Sequence, residues 1–201
     1  MLKLFPWRKK RKNETFCCAQ KHFFGWGSLE YLKVIAIVTT SGTGSEVTCA
    51  AVITNKDVKP EVKQVIVSHE ITPDVAIVDP EMSSSMPPGV TSATGMDALT
   101  HAIESYTSIA ATDIDKAIDL GAIKIIFRAL PKAFADGRNA AAREDMHTAS
   151  LMAGMAFTNS FLGITHALAH QLGTEYGLPH GKALQDLKDL YIAAFYGNEV
   201  M

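Results

Sequence analysis

The stretch VIAIVTTSGTGSEVT, residues 34–48, places a short run of mostly β-branched residues directly before a loop of glycines and hydroxyl side chains. Continuous apolar runs of this kind are typical of strands that are buried on both faces of a sheet. VAIVD at residues 75–79 has the same character, and AAVIT at 50–54 and VIVS at 65–68 indicate two further strands. Residues 34–85 are therefore predicted to form an α/β sheet or part of one.

The loop after the first run, TTSGTGSEVT at residues 39–48, has two interpretations. Its backbone amides and hydroxyls can approach a phosphate or a ribose closely. Glycine, serine and threonine also fill ordinary turns. The loop alone leaves a ligand site and a plain turn both open.

Residues 86–201 have the patterns of helices. The segment 112–134 opens with Thr112 and Asp115 at the spacing of a capping box, and Pro131 is expected to interrupt the helix. Apolar residues recur at helical spacing between these points, namely Ile114, Ile118, Ile125 and Ala129. The segment 142–157 predicts a further helix, whose packing face consists of Met146, Ala149, Met152, Ala153 and Ala156.

Composition and charge argue against several classes of protein. A chain of 201 residues with 47% hydrophobic residues can bury its own core. The net charge of −2 gives no reason to expect nucleic acid or a membrane as a partner, and no apolar run reaches transmembrane length. The N-terminus lacks the features of a secretory signal. Three irregularly placed cysteines suit neither a disulfide framework nor a zinc knuckle, so a cytoplasmic location is expected.

Residues 1–33 show neither helical nor strand periodicity and are left unassigned. They contain five consecutive basic residues, Arg8 to Lys12. Such a run can bind phosphates or act as a localisation signal. A solvated, poorly ordered terminus is the simpler interpretation.

Polar residues interrupt the apolar pattern of the helical region at a regular spacing. Asp97 and His101 are four residues apart, so a helix would place them on one face. His166 and His170 repeat this spacing, and His180 follows a turn. One carboxylate with two or three imidazoles suits a divalent transition metal, and favours iron or zinc over calcium or magnesium.

A structural interpretation of the same residues stays open. A single histidine on an apolar helix face is usually a core or rim residue, and Asp97 can be no more than the hydrogen-bond partner of His101. Four or five such residues are harder to explain as packing, because each needs its own buried partner. The helix of His166 is expected to end at Gly173. For His22, His69 and His147 the structural interpretation is preferred.

Four stretches, in this order, resemble the iron-containing (group III) alcohol dehydrogenase family: TTSGTGSEVT, ITPDVAIVDPE, GMDALTHAIESY and FLGITHALAHQLGTEYGLPHG. The resemblance is particularly to the alcohol dehydrogenase half of bifunctional aldehyde-alcohol dehydrogenases, and it runs from about Val34 to Gly181. The resemblance implies a partial dinucleotide-binding α/β region followed by a helical metal-binding domain. It also implies hydride transfer between a primary alcohol or aldehyde and NAD or NADP.

The resemblance further implies roles for individual residues. The residues that match the family's metal ligands, which usually bind Fe2+ and sometimes Zn2+, are Asp97, His101, His166 and His180. His170 matches an additional active-site histidine near the nicotinamide, a candidate for proton relay. The residues that match the dinucleotide contacts are Thr39, Thr40 and Thr43 in the loop, and Lys63 near the cofactor ribose.

Departures from the family leave alternatives open. The GGGS-type turn that binds the pyrophosphate in full-length members is missing, and the sequence after Gly181 departs from the usual continuation. The chain is therefore expected to be truncated at both ends. It is either an alcohol dehydrogenase, acting alone or with parts from a partner chain, or a metal-binding fragment without catalysis. A metal-dependent hydrolase would use the same ligands but leave the 39–48 loop without a task. An uncovered apolar face predicts a homo-oligomer.

Overall fold

The computed structural model of the chain describes residues 33–58 and 62–187. The basic run Arg8 to Lys12 and His22 lie outside the described residues. The strands are β1 (Ile35–Ile37), β2 (Ala50–Asn55), β3 (Val62–Val67) and β4 (Val75–Ile77), and the helices are α1 (Pro88–Thr107), α2 (Asp113–Ala135), α3 (Ala140–Ser160) and α4 (Ile164–Glu175). A further helical stretch begins at residue 180 and reaches residue 187, the last one described.

The four predicted strands are confirmed, and they form two pairs. β1 and β4 are parallel, with Ile35 opposite Val75. β2 and β3 form an antiparallel pair, with Ala50 opposite Val67. The expectation that these strands are buried on both faces is wrong, since Ile35 is 55% exposed and Val75 is 47% exposed. The reason is that each sheet contains only two strands within the part of the chain that the structure describes.

Helices α1, α2 and α3 pack around a core of small and medium side chains. Its buried members are Ala98, Leu99, Ile126, Ala129, Ala133, Ala142, Met146 and Ala149. Many of these are alanines, which lets the helix backbones approach closely. The predicted packing face of α3 is confirmed, with Met152 half-buried and its other members buried.

The start of α2 follows the prediction, but its course does not. Thr112 and Asp115 form the predicted capping box. Pro131 does not end the helix, which continues to Ala135. Proline removes one backbone hydrogen bond, but Ala129 and Ala133 on either side of it are buried in the core. Ile114 is 73% exposed, so the packing stripe of α2 begins further along the helix than predicted.

Helix α4 passes Gly173 and ends at Glu175, so the predicted stop is wrong by two residues. Gly177, at φ 66°, takes the left-handed conformation that glycine favours, and it sets the turn that precedes His180. The amides of Lys182 and Ala183 then donate to the carbonyl of Pro179 as the next helical stretch begins.

Two buried polar side chains of α3 fix the segment that leads into α1. Arg143 donates to the carbonyls of Gly137 and Met86 and to the hydroxyl of Thr91. His147 Nε2 lies 2.8 Å from the hydroxyl of Ser83. His147 therefore has a buried hydrogen-bond partner in Ser83. None of the described helices is long and apolar enough to cross a membrane.

Candidate metal centre

Helix α1 supplies a carboxylate and an imidazole on one buried face. Asp97 and His101 are each 5% exposed, and Nε2 of His101 lies 3.6 Å from Oδ1 of Asp97. Nδ1 of His101 lies 3.2 Å from the carbonyl oxygen of Gly42, and the ring stacks on Phe157. Because a carbonyl only accepts hydrogen bonds, Nδ1 carries the proton and Nε2 keeps its lone pair toward Asp97.

Helix α4 and the turn after it bring two further imidazoles to the same oxygen. Nε2 of His166 lies 3.4 Å from Oδ1 of Asp97, and Nε2 of His180 lies 3.6 Å from it. The ring of His166 stacks on His101 with centroids 4.5 Å apart. One potential ligand atom from each of Asp97, His101 and His166 lies within 4.8 Å of the others. The imidazoles of α1, of α4 and of the turn after α4 therefore converge on one carboxylate, although 69 residues separate Asp97 from His166.

Electrostatics leave most of this cluster in the form that binds a cation. Burial alone would raise the pKa of Asp97, but the neighbouring imidazoles lower it to about 2. Burial lowers the pKa values of His101 and His180 to about 4, although Asp97 opposes the shift. For His166 burial would lower the pKa, but hydrogen bonds to Asp97 and Glu104 raise it instead. At neutral pH the cluster therefore offers an ionised Asp97 with neutral His101 and His180, while the two neighbouring carboxylates favour the protonated form of His166.

The donor set fits a divalent transition metal. One carboxylate oxygen and three imidazole nitrogens are the ligands that zinc and ferrous iron accept. The two ring nitrogens of His166 face two ionised carboxylates, Glu104 at Nδ1 and Asp97 at Nε2. A cation bound at Nε2 in place of a proton would still balance the buried negative charge of these carboxylates. Among the described residues, the buried Nδ1 of His180 has no hydrogen-bond partner.

Glu104 is a member of this site that the sequence analysis did not identify. Its carboxylate is 7% exposed and lies 2.5 Å from Nδ1 of His166. Burial alone would raise its pKa, but the interactions with His166 and Thr165 lower it to about 2. A signal was present, because Glu104 follows Asp97 by seven residues and His101 by three, which is the same helix face.

His170 and Lys63 lie beside the cluster. The ring centroid of His170 is 5.1 Å from that of His180 and 6.4 Å from that of His166. Burial, then the charges of His166 and Lys63, lower the pKa of His170. Lys63, on β3, reaches α4, where its Nζ lies 3.1 Å from the place a Cβ would take on Gly173. The structure thus brings these two predicted residues to the same region as the predicted ligands.

The loop predicted to contact a dinucleotide packs against the helices that carry the cluster. Thr39 and Thr40 are half-buried, and Thr43 is exposed, with its hydroxyl 2.9 Å from that of Ser45. Gly44 has φ 60°, and a Cβ on it would lie 2.8 Å from the Cα of Gly154 on α3. The position of the loop is therefore set by glycine contacts, while the role of its threonines stays a prediction.

An apolar cavity of about 220 Å³ opens next to His166 and His170. It lies between the β2–β3 hairpin and the connection from α3 to α4. Its apolar walls include Ala50, Val65, Val67, Phe157, Phe161 and Ala167. The cavity can take a small molecule whose polar end meets the histidines.

Two family models match the chain. That of "Iron-containing alcohol dehydrogenase" matches residues 15–80, and that of "Fe-containing alcohol dehydrogenase family, C-terminal" matches residues 91–189. The first match begins inside the segment that the sequence analysis left unassigned. Together the two models account for most of the chain.

Individual relatives are similar over three quarters of the chain. A 1-propanol dehydrogenase of Citrobacter freundii is 48% identical over 155 residues, which is 77% of this chain and 41% of the relative. An NAD-dependent methanol dehydrogenase of Bacillus methanolicus is 51% identical over 150 residues, or 75% of this chain and 39% of the relative. The chain thus spans about two fifths of the length of these curated relatives.

Solved structures have a similar fold. A sulfoacetaldehyde reductase of Bifidobacterium kashiwanohense in complex with NAD+ matches with a TM-score of 0.76 and 43% identity, over 82% of this chain and 43% of the other. A 1,3-propanediol oxidoreductase matches with a TM-score of 0.74 and 47% identity, over 81% of this chain and 43% of the other. The predicted combination of a partial α/β region and a helical domain is confirmed.

Proposed function

Because the chain belongs to the family of iron-containing alcohol dehydrogenases, we propose that it transfers hydride between a primary alcohol or aldehyde and NAD or NADP. One observation carries the proposal. Three imidazole Nε2 atoms lie 3.4–3.6 Å from Oδ1 of Asp97, directly beside an apolar cavity. The similarity to an NAD-dependent methanol dehydrogenase and to a reductase in complex with NAD+ supports the same reaction and cofactor.

The proposed metal ligands are Asp97, His101, His166 and His180, and the proposed ion is Fe2+ or Zn2+. When bound, such an ion supplies Lewis acidity toward the oxygen of an alcohol or aldehyde. The Nε2 atoms of the three imidazoles face Oδ1 of Asp97. The carbonyl of Gly42 and the carboxylate of Glu104 fix the rings of His101 and His166 from their other sides.

The apolar cavity is the proposed site for the carbon chain of the substrate. Phe157 and Phe161 line one side of the cavity, and Val65 and Val67 of β3 line another. A cavity of about 220 Å³ suits a short primary alcohol better than a large one. In this orientation the hydroxyl group points toward His166 and His170, where the reaction takes place.

His170 is the proposed acceptor of the hydroxyl proton during oxidation. Burial and the charges of His166 and Lys63 lower its pKa, so the imidazole is neutral at pH 7 and can take a proton. In the direction of aldehyde reduction it returns that proton to the oxygen. A bound nicotinamide would supply the acceptor for the hydride that leaves the alcohol carbon.

The proposed dinucleotide contacts are Thr39, Thr40, Thr43 and Lys63. The loop of the threonines meets the cluster through the contact of Gly42 with His101, and Lys63 reaches α4 near His170. A dinucleotide bound along this loop would bring its reactive end toward the candidate metal centre. The ammonium group of Lys63 suits a hydroxyl or phosphate oxygen of the cofactor.

The proposal also covers the oligomeric state of the chain, its location and its partners. The exposed apolar strands β2 and β3, with Val52 50% and Val65 51% exposed, favour association into a homo-oligomer. A single buried free cysteine among the described residues, Cys49, fits a cytoplasmic protein. The proposed partner is a small alcohol or aldehyde, and neither nucleic acid nor a membrane is expected.

The test of the proposed function is alcohol-dependent reduction of NAD or NADP. The full chain is loaded anaerobically with Fe2+ or Zn2+ and assayed by absorbance with a series of short primary alcohols, beside metal-free protein. Reduction that requires both metal and alcohol is the expected result. A chain that binds the metal but transfers no hydride would favour the alternative, a metal-binding fragment without catalysis.

A further inference from the structure

We propose that Glu104 is a positioning residue that fixes the tautomer and the orientation of His166, so that Nε2 of this imidazole is presented to the metal. The inference rests on the proposed function, because it assigns a role at the same metal centre. It concerns a side chain that does not itself face the other ligands. Glu104 acts through His166.

The contacts of Glu104 are those of a bridge between two helices. From α1 its carboxylate reaches the start of α4, where Oε2 lies 2.5 Å from Nδ1 of His166 and Oε1 accepts from the amide of Thr165 at 2.6 Å. One buried carboxylate thus binds both the imidazole and the backbone that carries it.

The start of α4 depends on this carboxylate. The N-cap residue of the helix, Gly163, has no side chain to accept from the free amides of the first turn. Glu104 accepts from the first turn in place of an N-cap side chain, although it lies outside the helix. Its negative charge lies at the positive end of the helix dipole. A Cβ on Gly163 would lie 2.9 Å from Oε1 of Glu104, so glycine leaves the space that the carboxylate occupies.

The same geometry decides which nitrogen of His166 faces the ligands. An ionised carboxylate only accepts hydrogen bonds, so Nδ1 of His166 must carry a proton. In the tautomer with its proton on Nδ1, Nε2 offers its lone pair at a point 3.4 Å from Oδ1 of Asp97. Partners of this kind orient metal-binding histidines and raise their basicity.

The substitution Glu104→Gln separates the two tasks of the carboxylate. The amide oxygen of glutamine can still accept from Thr165, so the cap of α4 is kept. Its amide nitrogen then faces Nδ1 of His166 as a donor, which requires the proton to move to Nε2. The reverse orientation of the amide would set two N–H groups against each other. Glu104→Gln therefore keeps the fold and removes the lone pair that the metal needs.

The experiment measures the affinity of the metal-free full chain for Zn2+ by competition with a chromophoric chelator at one pH. The expected loss for Glu104→Gln is about 10- to 100-fold, as is typical when an outer-shell partner is lost. The matched control is Glu144→Gln, which removes an exposed carboxylate from α3 and is expected to bind like the wild type. Circular dichroism of the metal-free proteins checks that each is folded.

Two outcomes overturn different claims. Equal Zn2+ affinity of the wild type and a folded Glu104→Gln variant overturns the role of Glu104 and leaves the proposed function standing. A wild-type chain that binds no Zn2+ overturns the proposed function, and this inference with it.

A second measurement needs no variant. Nitrogen-15 NMR of the Zn2+-loaded wild type is expected to show a proton on Nδ1 of His166 and the ion on Nε2. An ion on Nδ1, or an unprotonated Nδ1, overturns the inference even where Glu104→Gln fails to fold.

Discussion

The carbonyl oxygen of Gly42 lies 3.2 Å from Nδ1 of His101, so the loop after β1 touches a proposed metal ligand directly. Gly42 comes this close to α1 because it has no side chain. A Cβ there would lie 2.7 Å from both the Cβ and the carbonyl oxygen of Thr94. The predicted dinucleotide loop and the predicted metal cluster are therefore parts of one packed unit.

The substitution Gly42→Ala is expected to weaken both the fold and the metal site. The added methyl meets the backbone of Thr94, which cannot move aside as a flexible side chain would. Overpacking of this kind costs about 1–3 kcal/mol in the free energy of unfolding. Displacement of the loop also removes the hydrogen bond to His101, so the affinity for Zn2+ falls. Urea unfolding and chelator competition measure the two effects.

Gly89→Ala is the matched control for this substitution. Gly89 lies on α1, and nothing lies within 4 Å of the position that its Cβ would take. Alanine at such a helix position is expected to be neutral or to stabilise the protein by up to about 1 kcal/mol. Similar losses from both glycine substitutions would contradict the role given to the Gly42 contact.

A second prediction concerns the buried carboxylate of Asp119. Its Oδ2 accepts from the hydroxyl of Ser105 at 2.6 Å, while its buried Oδ1 has no partner among the described residues. Burial raises its pKa from 3.8 to about 6, with the charge of Asp115 acting in the same direction. The folded state thus holds this proton more tightly than the unfolded state. Stability is therefore lost as the pH rises from about 4 through 6.

The substitution Asp119→Asn removes this titration. The free energy of unfolding of the variant, relative to that of the wild type, is expected to increase between pH 4.5 and pH 7. Denaturant unfolding of both metal-free proteins at the two pH values gives the comparison. A difference that does not change with pH would show that Asp119 has an ordinary pKa.

The proton relay predicts a variant that binds metal but turns over slowly. His170→Asn removes the proposed proton acceptor and leaves the four ligands in place, so Zn2+ affinity is retained. The rate is expected to fall by about 10²- to 10⁴-fold, the usual contribution of general acid–base catalysis. Because the pKa of His170 is lowered from 6.5, the wild-type rate should rise with pH below 6.5, and this rise should be absent in the variant. An unchanged pH profile would assign the proton to another group.

Lys63→Met tests the proposed cofactor contact. The loss of a charged hydrogen bond is expected to weaken NAD binding by about 10- to 100-fold, which isothermal titration calorimetry measures. The pKa of His170 should also rise, because the ammonium of Lys63 contributes to lowering it. NAD binding equal to that of the wild type would exclude Lys63 from the cofactor site.

Local patterns predicted the elements of the fold well. The four strands, the capping box of Thr112 and Asp115, and the packing face of α3 all followed from runs, spacing and hydrogen-bonding residue types. Tertiary packing decided the points that were missed. Pro131 stays inside α2 because its neighbours are buried in the core, and the exposure of Ile35 depends on which elements lie beside β1.

For the site as well, local spacing predicted some features and tertiary packing decided others. Spacing placed Asp97 and His101 on one helix face and indicated His166, His170 and His180 as further candidates, and family resemblance then selected His166 and His180 as ligands. The meeting of all four side chains depends on tertiary packing, because Asp97 and His166 are separated by 69 residues. The carbonyl of Gly42 escaped notice because a backbone oxygen carries no motif, and Glu104 escaped notice although its spacing from Asp97 and His101 places it on the same helix face. The roles of Glu104 and of the Gly42 carbonyl depend on which imidazole nitrogen each of them faces.

The most direct test of the account is the metal content of the chain after anaerobic purification. The wild type is compared with the double variant His166→Ala, His180→Ala and with His69→Ala, which removes an exposed histidine outside the cluster. We expect close to one iron or zinc ion per chain in the wild type and in His69→Ala, and none in the double variant. Absence of metal from the wild type, or equal metal in all three proteins, would contradict this expectation.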